Sequence, residues 1–238
     1  MRIRVFLITL ALLFLFSCSK AFERKKTLVV LLSGQVHSIH PFFASSYDEI
    51  AISRLIAQGL FYYDAVSRKI RNEIIQKHSV SIDGRTWHFY LKHGRTLSNG
   101  KPLNAQAVVS TFRDLFKSSP KRLYYSNVIR VSAMKEFVVR IDLRNPDYEF
   151  DVILSGRNGT GIFQDLNNRG VIAGYGPYIL KSFSSKKIIL DRNPHYKDGT
   201  VETDRIVFKV IPDEQQRLKM LLNREADIGI IGLAENLI

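Results

Sequence analysis

Reactive side chains are few and scattered along this 238-residue chain. His37 and His40 stand three apart, and His88 and His93 five apart. Neither pair has the neighbouring Glu on a helical face that a metalloprotease site requires. Gly156, Gly159 and Gly161 form a glycine-rich stretch, but no Gly-Lys-Ser/Thr follows. That stretch reads as a mobile loop rather than a phosphate cradle. Ser33-Gly34 and Ser155-Gly156 lack the Gly-x-Ser-x-Gly pattern of a nucleophile elbow. Asp83 and Asp227 are lone carboxylates of the kind that serve turns. No nucleophile, base and orienting group can be assembled, so the reading is of a non-enzyme with no catalytic residue, no metal site and no cofactor. The one cysteine, Cys18, excludes an intrachain disulfide and a Cys-built zinc site.

What remains is binding, and the composition limits its kind. With 45% hydrophobic and 24% charged residues the chain can bury a core, which excludes disordered and collagen-like classes. Lys and Arg number 35 against 22 Asp and Glu, a net charge of +13. The cations fall in short runs, Arg24-Lys25-Lys26, Lys121-Arg122 and Lys186-Lys187, and not in one stripe with exposed aromatics, which argues against a nucleic-acid partner. The charge suits a solvated basic surface or an anionic membrane nearby.

The head of the chain explains how a membrane enters. Arg2 and Arg4 precede an apolar run, Val5 to Phe16, broken only by Thr9. It is too short to span a bilayer but fits a secretory signal. Leu15-Phe16-Ser17-Cys18 then resembles a bacterial lipobox, with Leu15 at −3, Ser17 at −1 and Cys18 as the acylated residue. An ordinary cleaved signal with an incidental cysteine is the other reading. Residues 1–17 are thus expected to be a signal peptide and 18–26 a tether, on a protein exported to the periplasm or cell surface.

Downstream, strand and helix patterns alternate. Thr27 to Leu32 reads as a buried strand and Asp48 to Leu60 as a helix with Ile52, Leu55, Ile56 and Leu60 on one face. Ser79 to Ile82 and Thr86 to Leu91 flank Asp83-Gly84 as a hairpin, with Trp87, Phe89 and Leu91 on one side. Asn99-Gly100 is a turn. Asn104 caps a helix to Lys117 whose Val108, Phe112, Leu115 and Phe116 face inward, and Ser118-Ser119-Pro120 stops it. Phe137 to Leu143 alternates as a strand. Tyr178 to Phe183 and Lys187 to Asp191 form a hairpin, and Ile206 to Ile211 a strand. Asp213 caps a helix with Leu218, Leu221 and Leu222 inward, and Ala226 to Ile231 is a last strand.

Several short segments, in order, carry a family resemblance. Ser38-Ile39-His40-Pro41 resembles "S-L-D-P"; Gln58-Gly59-Leu60-Phe61-Tyr62-Tyr63-Asp64 resembles "E-G-L-x-x-Y-D". Ser81-Ile82-Asp83-Gly84-Arg85-Thr86-Trp87-His88-Phe89-Tyr90-Leu91 resembles "S-x-D-G-x-T-Y-T-F-x-L", and Asn99-Gly100-Lys101-Pro102-Leu103-Asn104-Ala105 resembles "D-G-x-P-L-T-A". Gly174-Tyr175-Gly176-Pro177-Tyr178, Arg192-Asn193-Pro194-His195-Tyr196 and Glu225-Ala226-Asp227-Ile228 resemble "G-T-G-P-Y", "R-N-P-x-Y" and "E-A-D-I". Together they are similar to the extracytoplasmic solute-binding proteins of ABC transporters, peptide/nickel-binding type. The chain departs at His40 for Asp, Gln106 for an acid and Tyr175 for Thr.

The resemblance implies a mixed α/β fold, lobe one of a periplasmic-binding-protein clamshell with an inserted α+β subdomain and the second lobe absent. Residues 27–44 plus 171–238 would form the lobe-one core and 45–170 the insertion. It implies capture of a short peptide or similar small solute for an ABC permease, by a truncated or split lipoprotein, with a second chain supplying lobe two in the split case and the function lost in the other. Nickel or haem stays open as the ligand. The alternative is a stand-alone exported basic module that captures no solute. The ligand-binding residues implied are Ser45, Ser46 and Tyr47, after the first strand; a serine capping the Asp48 helix is the competing role. Gly174 and Gly176 are expected to be backbone requirements near the hinge.

Overall fold

The computed structural model describes residues 26–155, 159–165 and 172–231. The expected signal peptide, Cys18, Gly156 and all of the tether but Lys26 lie outside the described residues.

The first described strand is β1 (Thr27–Leu32), an apolar run that is half-buried at first and buried at Leu31 and Leu32, and it lies inside a sheet with a neighbour on each side. The next strands in sequence belong elsewhere: β2 (Phe61–Asp64), β3 (Lys69–Asn72), β4 (Ile75–Val80), β5 (Thr86–Leu91), β6 (Val128–Lys135), β7 (Val138–Leu143), β8 (Phe163–Asp165) and β9 (Ile172–Gly174). They form a β2–β3 hairpin, a four-stranded antiparallel sheet ordered β4–β5–β7–β6, and a β8–β9 pair. The chain then returns with β10 (Tyr178–Phe183), β11 (Lys187–Arg192), β12 (Arg205–Val210) and β13 (Ile228–Gly229) to complete a five-stranded sheet ordered β10–β11–β12–β1–β13. In that sheet β1 runs parallel to β12, Thr27 opposite Arg205 and Leu32 opposite Val210. Asp227 fixes the register of the last strand: its carboxylate accepts the Val29 N–H at 2.7 Å and its own N–H donates to Val29 O at 2.9 Å. The lone carboxylate is therefore a strand-pairing group.

Among the described residues four α-helices accompany these sheets: α1 (Tyr47–Ile56), α2 (Ala105–Ser118), α3 (Phe150–Ser155) and α4 (Glu214–Leu222). Two apolar clusters follow. Leu32, Ile188, Leu190, Ile206 and Phe208 of the five-stranded sheet bury against Val36 and against Ile52 and Ile56 of α1. Trp87, Phe89 and Leu91 of β5 and Val139 and Ile141 of β7 bury against Val108, Phe112 and Leu115 of α2. Each such side chain contributes about 1.5–3 kcal/mol through removal from water. Trp87 also donates its indole N–H to Asp147 O at 2.9 Å, so its one polar atom is satisfied.

The Tyr178–Phe183 and Lys187–Arg192 hairpin, the Asn99-Gly100 turn and the Asn104 cap, whose side chain accepts the Ala107 N–H at 3.0 Å, form where the sequence pattern places them. The hairpin into β5 also forms, but its first strand is Ile75–Val80 rather than Ser79–Ile82, because Ser81 turns its hydroxyl to Asp83 and to the Thr86 N–H in the turn. Three further expectations need correction. The first helix ends at Ile56, not Leu60, because the Gly174-Tyr175-Gly176 backbone presses against its last turn. A Cβ on Gly174 would stand 2.4 Å from Ile56 O and one on Gly176 2.3 Å from Leu55 O, and Gln58 N–H bonds Tyr175 O at 2.8 Å instead of continuing the helix. In α4 Leu222 is 74% exposed; the buried residue is Arg217, whose guanidinium donates to Ile211 O, Pro212 O and Ile230 O. The last strand is only Ile228–Gly229.

Candidate functional site

The loop from β1 to α1 is held by one carboxylate. Glu49, at the third position of α1, is 2% exposed. Its Oε1 accepts the N–H of His37 (2.7 Å) and of Ser38 (3.1 Å); its Oε2 accepts the N–H of Ser45 (2.9 Å) and Ser46 (3.1 Å) and the Ser45 hydroxyl (3.1 Å). Burial alone would raise its pKa, but the four backbone N–H groups favour the charged form more and hold it at about 2. Ser46 completes a capping box by accepting the Glu49 N–H on its hydroxyl at 3.1 Å. The helix start and the loop before it are thereby one rigid unit.

Within that loop His40 organises a tight turn. Its carbonyl accepts the N–H of Phe43 and of Ala44, both at 2.9 Å, and its Nδ1 accepts the Phe42 N–H at 3.1 Å. The imidazole nitrogen takes the acceptor role that a carboxylate oxygen would have, which accounts for His where the resemblance has Asp. Burial lowers the His40 pKa, and a nearby Asp165 opposes this. The ring packs among Phe42, Phe43 and Phe163 at centroid distances of 4.9–5.2 Å.

The facing wall is a 3₁₀ helix, Pro120–Tyr125, that starts immediately after α2. Buried Ser119 joins the two walls: its hydroxyl donates to Phe42 O at 3.2 Å and accepts the Lys121 N–H at 3.1 Å. Between them lies a cleft of about 750 Å³ lined by Phe43, Ser45, Ile50, Lys121, Leu123 and Tyr124 among others. Phe43 (47%), Leu123 (72%) and Tyr124 (53%) are unusually exposed for their types. A concave, mainly apolar surface of this volume is what small-molecule sites are made from.

Of the residues singled out from sequence, Ser45 lines this cleft, Ser46 caps α1, and Tyr47 is 79% exposed at the helix start outside the lining. Cys18 lies outside the described residues. Phe43, Lys121, Leu123 and Tyr124 escaped the sequence reading, which took Ser119-Pro120 only as a stop. A serine followed by proline is also a helix start, with the serine as cap and proline at the first position. Among the described residues no three His, Cys, Asp or Glu side chains are grouped to hold a metal ion, and no helix is long and apolar enough to cross a membrane.

A mixed sheet carrying an inserted antiparallel sheet, with a cleft beside the loop after its first strand, defines the chain as a lobe of a solute-binding protein. It belongs to the bacterial extracellular solute-binding proteins, family 5, whose middle-region profile matches residues 69–236. This is a family of extracytoplasmic binding proteins and not of enzymes. The chain is 26% identical over 216 residues to the glutathione-binding protein GsiB of Salmonella typhimurium strain LT2, covering 86% of this chain and 42% of that protein. It is 25% identical over 242 residues to the probable D,D-dipeptide-binding periplasmic protein DdpA of Escherichia coli K12, covering 94% of this chain and 46% of the relative. The fold is similar to that of a nickel ABC transporter protein of Bacillus halodurans, with a TM-score of 0.76 at 24% identity, over 86% of this chain and 43% of that one. The chain thus spans less than half the length of the relatives it matches, consistent with a single lobe.

Proposed function

We propose that this chain supplies the first lobe of a substrate-binding lipoprotein of a peptide-type ABC importer, which captures short peptides outside the cytoplasm and delivers them to a membrane permease. The observation that carries this reading is the 750 Å³ cleft on a family 5 lobe, walled by a loop that Glu49 and Ser119 hold rigid. A preformed wall lowers the ordering cost of binding. Two curated relatives named for glutathione and dipeptide binding support a short peptide as the solute. Clamshell proteins desolvate a ligand by closing two walls upon it. This chain supplies one lobe of such a clamp, and this reading assigns the other lobe to further sequence, or to a second chain in its split form. Cys18 is proposed as the lipid attachment point that keeps the protein beside its permease.

Thermal unfolding of the full-length chain in detergent, with and without a pool of short peptides, tests the reading. Capture predicts a midpoint that rises with peptide concentration, because a ligand bound only by the folded state stabilises it. A cooperative transition that peptide does not move favours the exported interaction module instead. Incorporation of a labelled fatty acid by the wild type and not by Cys18→Ser tests the anchor.

A further inference from the structure

The lining of the cleft carries a statement about which peptides it takes. Phe43, Leu123 and Tyr124 present apolar surface to it, and Phe42, Ala44, Ile50 and Pro120 complete the wall. Among the described residues no Asp or Glu is part of this lining, the nearby Asp165 acting on His40 behind it. The acid closest in the chain to this wall, Glu49, is turned into the loop, its two oxygens taken by four backbone N–H groups and the Ser45 hydroxyl. Among the described residues the one charged side chain of the lining is Lys121, which is itself buried.

We infer that this wall favours peptides presenting an aliphatic or aromatic side chain to it over those presenting a cationic one. This rests on the peptide-capture reading. An apolar side chain covers Leu123 and Tyr124 and removes their exposed surface from water. A Lys or Arg side chain placed on that surface loses hydration and finds no carboxylate among the described lining residues. Selection of this kind is a difference of affinities, an apolar side chain gaining buried surface where a cationic one pays an uncompensated desolvation cost. Ser119 and Glu49 fix both walls, so the apolar surface cannot simply fold away from an unsuitable ligand.

The test is isothermal titration of the full-length chain in detergent with trialanine and with tripeptides carrying one Phe, Leu or Lys in place of each alanine in turn. At one position, the Phe and Leu peptides are expected to bind at least about tenfold tighter than the Lys peptide, the effect of burying a large part of one side chain. Leu123→Ser and Tyr124→Ser change exposed positions and leave the far-ultraviolet circular dichroism unaltered. They are expected to reduce that preference to about threefold or less. Equal affinities across the series, or a preference that neither variant alters, overturns the selection while leaving peptide capture standing. Absence of binding by every peptide overturns the capture reading and this inference with it.

Discussion

Replacing Glu49 with Gln tests whether one carboxylate shapes the candidate site. Gln preserves size and helix position but offers one acceptor oxygen where the wild type offers two, and its amide N–H groups would face the Ser45 and Ser46 N–H donors or those of His37 and Ser38. The folded carboxyl titrates at about 2 against an ordinary 4.5. That difference corresponds to about 3 kcal/mol of stability. A carboxylate with a depressed folded pKa contributes fully above its unfolded value, and the contribution is lost as pH falls through the folded one. The Glu49 term is therefore complete at pH 7, about 1.5 kcal/mol at pH 3, and gone below pH 2. Urea unfolding followed by the fluorescence of buried Trp87, the only tryptophan, reads this directly. Glu49→Gln is expected to be about 3 kcal/mol less stable than wild type at pH 7, a midpoint lower by roughly 6–12 °C, with the gap narrowing by about half at pH 3. A gap below about 1 kcal/mol at pH 7, or one equally large at pH 7 and pH 3, would refute the assigned role.

Three further outcomes follow from the packing. Gly176→Ala places a Cβ 2.3 Å from Leu55 O and should lower stability by about 2–3 kcal/mol in thermal unfolding, whereas Gly34→Ala, with nothing within 4 Å, should change it by less than about 0.5 kcal/mol. Arg217→Met retains bulk but leaves the carbonyls of Ile211, Pro212 and Ile230 without their donor; a loss of about 2–4 kcal/mol and faster hydrogen exchange at the Asp227 amide beside β1 are expected. Trp87→Phe removes the bond to Asp147 O and leaves a void among Phe89 and Phe150, and should cost about 2 kcal/mol in denaturation followed by circular dichroism.

The fold was legible because its motifs are joints of the scaffold. Gly176 gives way to the end of α1, Asn193 donates to Gly176 O at 2.8 Å, Gln58 donates to the Tyr196 hydroxyl at 3.1 Å, and Asp227 pairs with β1. Each requires one residue type for a steric or hydrogen-bonding reason, and each falls inside a segment that carried the resemblance. The alternation of Trp87, Phe89 and Leu91 likewise announced a half-buried strand. By contrast β6 is exposed or half-buried along its length and has no such alternation to betray it. The end of α1 was misplaced because a contact with Gly174 and Gly176, more than a hundred residues away, overrides the apolar periodicity through Leu60. The cleft was only partly legible. Ser45 could be placed from its position after β1, but Leu123 and Tyr124 are exposed residues of a short 3₁₀ turn, and their meeting with Phe43 depends on the Ser119 bond across 77 residues. The capping box Ser46-x-x-Glu49 was readable from the pattern, and it marks the residue that positions the site rather than one that lines it.

Hydrogen exchange resolved to individual amides, on the full-length chain in detergent with and without the short-peptide pool, tests the central claim most directly. The account predicts that peptide slows exchange at Phe43 and Ser45 in the loop after β1 and at Leu123 and Tyr124 in the facing turn, while the Lys187–Arg192 strand is unchanged. Protection confined to other surfaces, or no change at these four amides while peptide measurably binds, would contradict it.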